Sequence, residues 1–346
     1  MFAAFSDDSK PLPVPNLTKL FDKKTGKKSQ LAWNGGYILN PELVGKLGLP
    51  ETYIGSPLGL LIIDEEVVSA PLFNKPSFII YKDGKIDIQR VSIENGIKIS
   101  ADDKFLDFNK TAYNKHSEKE IGYFNLMSEN EFLKGNGNYI VRLAGNTIKE
   151  VVRTKKGEDV KIIPVGLTLS IPEKLFPQEW NKVNKKVKIE FDATNGFNLK
   201  NIAHAIEAGP LLINDGELNV DMITEGWKTS SSIKTQAARL DYTDMRGPKI
   251  SVGLDKDGNP MVLMINGRIK ESVGATHFDM ANILMSYGAK KAMGFDPGGS
   301  STLVVDGKVM NISPYNKDYE KDIYSLPPEP RFVANAIIGW CEEKGE

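Results

Sequence analysis

The feature that most constrains this chain is its punctuation. β-rich runs are repeatedly broken by Asp-Gly or Asn-Gly: "FIIYKDGKIDI" (78–88), "LLINDGELNV" (211–220), "GLDKDGNPMVLMI" (253–265), "MVLMINGRIK" (261–270) and "LVVDGKVMNI" (303–312). Tight hairpin turns need positive φ angles, which Gly, Asn and Asp tolerate, so each run predicts a β-hairpin. "MVLMI" (Met261 to Ile265) is apolar at every position and predicts a strand buried on both faces in mid-sheet. One helix is well marked. Thr276 and Asp279 form a capping-box-like start, Phe278, Ala281, Ile283, Leu284 and Tyr287 give an apolar stripe, and Gly288 supplies the stop, which predicts a helix at about 277–287. The fold class is therefore α+β: mixed, mostly antiparallel sheets with many hairpins and few helices. Residues 1–30 are polar, Pro-containing and Lys-rich, and predict an extended arm with a short helix near Asn16 to Phe21. Residues 31–341 read as one domain, in which the Lys/Asn-rich segment 95–200 is an insertion or lobe.

Composition matters mainly for what it excludes. With 346 residues and 40% apolar content, the chain can bury a sizeable core. A net charge of −1 gives no global basic field, so nucleic acid is not an expected partner. The lysines of 182–188 alternate with apolar residues and read as a solvated strand face. Cys341 is the single cysteine, which rules out an internal disulfide and any cysteine-based zinc cluster. His116 and His204 have no companions at ligand spacing, and His277, at the helix start, reads as structural. No membrane-spanning run and no signal peptide are visible. The oligomeric state is not legible.

The chemistry concentrates in "GFDPGGSSTLVVDG" (294–307). The expected order is strand 261–265, a short strand near 269–272, the helix, strand 291–295, the glycine loop and strand 302–305. Gly298 and Gly299 let the backbone approach a ligand, and successive N–H groups there form a nest suited to an anion. Ser300 and Ser301 add hydroxyls. Asp296 is the ionisable side chain of the loop, available as acid, base, nucleophile or ligand. The alternative is a tight turn in which Asp296 only satisfies backbone N–H groups. No lysine follows the glycines and a strand comes next, so this is neither a nucleotide P-loop nor a nucleophile elbow.

The helix "THFDMANILMSYGAKKAMGF", the loop "DPGGSST", the strand "LVVDGKV" and the closing "EPRFVANAII" together resemble the phosphodiester glycosidase family. "AWNGGY" (32–37), "SPLGLLIIDEEVVSAP", "EAGPLLINDGEL" and "GPKISVGLDKDG" extend the resemblance over about 32–340, most weakly at 95–200. There are departures. Gly294 stands for the family's Asn, Pro297 for its first loop glycine, and Lys249 for an Arg, with Arg246 three residues earlier as a substitute guanidinium.

The resemblance implies hydrolysis of a sugar-1-phosphodiester in a bacterial glycan or cell-wall polymer, broken on the sugar side. Such a reaction needs an anion cradle, a carboxylate and neutral groups that read hydroxyls. The resemblance assigns Asp296 as the carboxylate, with Arg246, Lys249, Arg331 and the Gly299 and Ser300 N–H groups as the cradle. Glu207 is a candidate second acid. Asn34, Asn335 and Ser301 are candidate sugar contacts, beside Gly298, Gly299 and Ser300. No cofactor is required. A divalent cation (Ca or Mg) on Asp296 stays open, and so does an extracytoplasmic or secreted location. Two other readings stay open: a non-catalytic module binding anionic polysaccharide, and a glycosidase of altered specificity.

Overall fold

The structure is a computed structural model that describes residues 1–341, except 8–9, 72–73, 118, 126–127, 129–130, 164, 227–243 and 315–327. Three five-stranded sheets build its centre. The first has the order Phe2–Ser6, Asn335–Gly339, Leu31–Asn34, Leu303–Val305, Lys308–Val309. The second runs Glu66–Ser69, Leu61–Ile63, Ile202–Glu207, Lys75–Tyr81, Ile86–Val91. The third runs Glu217–Leu218, Leu211–Asn214, Lys291–Gly294, Lys249–Leu254, Pro260–Ile265. Smaller sheets of four, three and two strands come from 93–193; the four- and three-stranded ones share a second core with the second sheet, and the two-stranded one packs Leu133 and Val160 in a small separate cluster. The ladders among the described residues are antiparallel, and the parallel pairing is one isolated bridge, Tyr113 with Tyr123. The α+β class, mostly antiparallel, is as expected.

The turn dipeptides behave as their chemistry requires. Asp215 and Gly216 take φ of 51° and 83° between the paired Asn214 and Glu217, and Asp306 and Gly307 take 46° and 74° between Val305 and Lys308. Both are two-residue turns with two positive φ angles. Asn266-Gly267 is the exception. No hairpin forms there, and the predicted strand near 269–272 is a turn closed by an isolated Ile269–Ser272 bridge. Gly267 instead packs against backbone: a Cβ on it would lie 2.5 Å from Pro248 N and 2.9 Å from Gly274 Cα. "MVLMI" also differs from expectation. Pro260–Ile265 is an edge strand, half-buried throughout. Met261, Leu263 and Ile265 pack towards the helix side, and Val262 and Met264 towards the central core, so an apolar run on both faces does not require a central place.

Three helices among the described residues flank the sheets. Helix α1 (Val14–Thr25) has a Pro in its first turn and ends at Gly26 in the left-handed conformation. It lays Val14, Leu17 and Phe21 on the outer face of the first sheet. The residues before it form no free arm, because Phe2–Ser6 pairs with Asn335–Gly339. Helix α2 spans Pro41–Leu47. Helix α3 (His277–Ser286) carries the expected capping box between Thr276 and Asp279 and packs Met280, Ala281 and Leu284 against the third sheet.

The three central sheets meet at an aromatic cluster with one ring beside each. Trp33, Phe78 and Phe295 have ring centroids 5.8, 6.1 and 6.2 Å apart in mutually inclined arrangements. All three are fully buried. Truncating one to Ala should cost about 3–5 kcal/mol. Trp33 is followed by Asn34, and Phe295 by Asp296. The best-anchored point of the core thus fixes the backbone of the two segments that build the glycine loop's surroundings.

Candidate functional site

The loop begins where Phe295 leaves the core. Asn34, completely buried, donates from Nδ2 to Asp296 O (2.8 Å) and accepts at Oδ1 from Thr302 N–H (2.9 Å). One side chain therefore clamps both ends of the loop. Asn335 acts in the same way from the neighbouring strand: its Oδ1 accepts from Gly36 N–H at 2.9 Å. A Cβ on Gly35 would stand 1.8 Å from that oxygen, so glycine is required there. Gly35 O in turn receives the Asp296 N–H (3.3 Å). Asn34 and Asn335, expected as sugar contacts, are thus positioning residues whose amides hold backbone. Ser301 is also turned inward, donating to Pro248 O at 3.3 Å, and Gly298 N–H goes to the same carbonyl at 2.8 Å. Gly298 takes φ +69°. The Gly299 and Ser300 N–H groups take no partner among the described residues, so the anion-nest reading narrows to those two.

Burial pushes the Asp296 carboxyl up to about 6, against the Ser300 hydrogen bond and the positive charge of Arg331, which both pull it down. The group is therefore largely ionised at neutral pH but close to titrating. Arg331 reaches it from the segment just before the strand Asn335–Gly339.

A second guanidinium stands over the glycines. A Cβ on Gly298 would lie 3.3 Å from both Nη1 and Nη2 of Arg268. Arg268 has φ +56° and follows Gly267, at a point where Gly247, Gly267 and Gly274 bring three backbone segments into contact. On Gly274 a Cβ would be 2.3 Å from Gly247 O, so small residues are needed to seat Arg268. Lys249 lies next to it. Burial first, and Arg268 second, push the Lys249 amine down to about 8, with Asp279 opposing. The sequence does not single out Arg268, because it follows an Asn-Gly pair that reads as a hairpin and makes it an ordinary strand-surface residue. The glycine at 267, so close to those at 247 and 274 in space, is the signal, but only the fold brings them together.

Two expected site residues lie elsewhere. Arg246 is half-exposed and donates to Asp279 Oδ2 (2.8 Å) and Gly274 O (3.2 Å), bracing the start of α3. It is Arg268 that brings a guanidinium to the loop. Glu207 is buried in a different charge cluster. Its Oε2 accepts from Leu60 N–H (2.9 Å), and Lys75 and Glu225 are the charges that act on it. Burial raises Glu207 and lowers Lys75, and the two carry each other's compensating charge. Among the described residues no three His, Cys, Asp or Glu groups come together. Among the described residues the charge that acts on Asp296 is the cationic Arg331, which suits an anionic ligand better than a divalent cation.

Residues 108–338, two thirds of the chain, match the profile of phosphodiester glycosidases. The chain belongs to the phosphodiester glycosidase family. A stretch of 87 residues, 25% of the chain, is 31% identical to the SPbeta prophage-derived uncharacterized protein YomE of Bacillus subtilis, and covers 14% of that protein's length. Three solved structures share the fold. A hypothetical protein from Synechocystis superposes with TM-score 0.57 and 17% identity over 98% of this chain and 56% of its own. A putative exported protein from Burkholderia pseudomallei gives 0.58 and 15% over 98% and 70%. The zebrafish N-acetylglucosamine-1-phosphodiester alpha-N-acetylglucosaminidase catalytic domain, auto-inhibited by its pro-peptide, gives 0.50 and 15% over 99% and 73%. The chain thus spans little more than half of the Synechocystis structure.

The departures from the phosphodiester glycosidase pattern also have places in the fold. At Gly294 a Cβ would be 3.1 Å from Gly209 O and 3.5 Å from His277 Cδ2. His277 is buried, so it and Gly294 are packed as a pair that leaves little room for an asparagine. Pro297 is extended (φ −94°, ψ −167°) and buried at the start of the short 298–300 turn. It removes one N–H from the nest.

Proposed function

We propose that the protein hydrolyses a glycosyl phosphodiester in a bacterial glycan or cell-wall polymer, breaking the bond between the anomeric carbon and the phosphate oxygen. The observation that carries this reading is the glycine loop itself: a carboxylate raised by burial, with the Arg331 charge acting on it and Arg268 over Gly298 of the same loop. Two guanidiniums and the Gly299 and Ser300 N–H groups supply the cradle for a phosphodiester, whose charge grows as the bond breaks. The bond electrons leave with the phosphate oxygen, which is a weak base and needs little protonation. Asp296 faces the positive charge that develops on the sugar, and takes a proton from the water that adds to the anomeric carbon. Lys249, next to Arg268, keeps that cradle cationic. The reading predicts release of free sugar from a nitrophenyl-phospho-sugar or UDP-sugar panel, with loss of release in Asp296→Asn. If no member of the panel is turned over by the parent protein, the hydrolase reading fails. Binding of anionic glycan that survives Asp296→Asn, without product, would put a non-catalytic module in its place. A location outside the cytoplasm fits such a substrate.

A further inference from the structure

A second concave site lies beside the loop, and nothing in the chemistry above uses it. It is a cavity of about 230 Å³ walled by the end of the first strand, the 52–57 segment and the turn 144–147. Lys10, Lys149 and Lys186 converge on it from three separate regions of the chain, with Asp7 as the carboxylate on its wall. None of the three lysines makes an ion pair among the described residues. Elsewhere Lys46, Lys82, Lys134 and Lys188 each sit within 3 Å of a carboxylate. Lys149 is anchored, donating to Thr52 O at 2.8 Å, and burial pushes its amine down. Two buried polar side chains, Ser56 and Asn146, line the wall. Asn146 Nδ2 donates to Glu66 Oε1 (3.0 Å), and Glu66 itself does not line the cavity.

Position gives the cavity its meaning. Ser6, on its wall, pairs with Asn335, and the next strand over ends at Asn34, the residue that holds Asp296. All three lie at the same end of the first sheet. Neighbouring strands are about 4.8 Å apart, so the cavity lies roughly 10 Å to the side of Asn34. We infer that this cavity is a second anion subsite, in which Lys10, Lys149 and Lys186 hold a neighbouring phosphate of a polymeric substrate whose scissile phosphodiester lies at Asp296. The inference rests on the proposed glycosyl phosphodiester reading and adds that the substrate carries repeated phosphates. Three lysines with no ion pair among the described residues, held on a concave wall, favour a multiply anionic chain over a neutral one.

The test uses two probes: a synthetic glycosyl phosphodiester oligomer with three phosphates, and its one-phosphate fragment. Equilibrium binding is measured on the Asp296→Asn background, so that neither probe is consumed. The oligomer should bind at least about tenfold tighter than the fragment, because the second contact is intramolecular. That advantage should fall to near onefold in Lys10→Gln/Lys186→Gln and weaken with salt, while fragment binding and the melting temperature stay unchanged. An oligomer that binds no tighter than the fragment, or an advantage that survives the double variant, overturns the subsite. Turnover of the fragment by the parent protein is read separately, so failure of the subsite and failure of the hydrolase reading are distinguishable.

Discussion

Glu207 is fully buried and Asp296 only partly exposed, and burial raises both carboxyls, yet they are surrounded differently. Glu207 is answered by Lys75 and a backbone N–H inside a closed cluster that also holds Glu225, itself bonded to Arg90 (3.0 Å) and to Leu211 N–H (2.9 Å). Asp296 is answered by a hydroxyl and by the Arg331 guanidinium, in a loop that has Arg268 over Gly298 and two N–H groups left over for a ligand. A raised pKa therefore does not separate a site from a structural network. The companions differ: the Glu207 charges compensate one another inside the core, whereas Asp296 opens a glycine loop, with the Arg331 charge acting on it and Arg268 over Gly298.

The sharpest way to break this contrast is turnover. Asp296→Asn should lower kcat by about 10³-fold, and Glu207→Gln should leave it within a few-fold at a temperature where the variant is folded. Equal losses would end the distinction. Arg268→Lys should cost about 10²-fold in kcat/KM, because the ammonium loses the two-pronged contact, and Arg246→Lys should change it less than threefold. Steady-state kinetics on the phospho-sugar panel reads both pairs.

Stability should move in opposite directions. Glu207→Gln leaves Lys75 buried without its nearest counter-charge and should cost about 3–5 kcal/mol in urea unfolding. Asp296 titrates at about 6 when folded, above its ordinary 3.8, so folding favours the protonated form. Its contribution to stability is greatest below about pH 4 and is lost as pH rises through 6. Asp296→Asn should therefore match the parent at low pH and become more stable by at most about 3 kcal/mol above pH 7. The same titration predicts that kcat falls as pH drops below about 6, a limb that Glu207→Gln should not shift. The smallest expected effect is that of Pro297→Gly, which restores one N–H to the nest. It should change KM or substrate preference by a few-fold without altering the unfolding midpoint, and no change in either would make Pro297 a turn-former only.

Local chemistry is legible where it is self-contained. The two-residue turns at 215–216 and 306–307, and the Thr276–Asp279 capping box, depend on residues a few positions apart, and they form as expected. "MVLMI" lies at an edge rather than in mid-sheet because apolarity reports contact with apolar neighbours, not place in the sheet, and this half-buried strand meets the α3 side on one face and the central core on the other. Asn34 and Asn335 are legible as important but not in role, since an amide that reads sugar and one that clamps backbone are the same residue type.

The sequence by itself determined the antiparallel, hairpin-rich class, the capped helix, and the loop that carries Asp296 and its glycines, because turn and cap preferences act within a few residues. Only the tertiary structure decided which charges stand around that loop. Arg268 replaced Arg246, Glu207 went to another cluster, and three lysines from distant segments met in one cavity. Electrostatic interaction depends on distance in space and on burial, and neither is a function of separation along the chain.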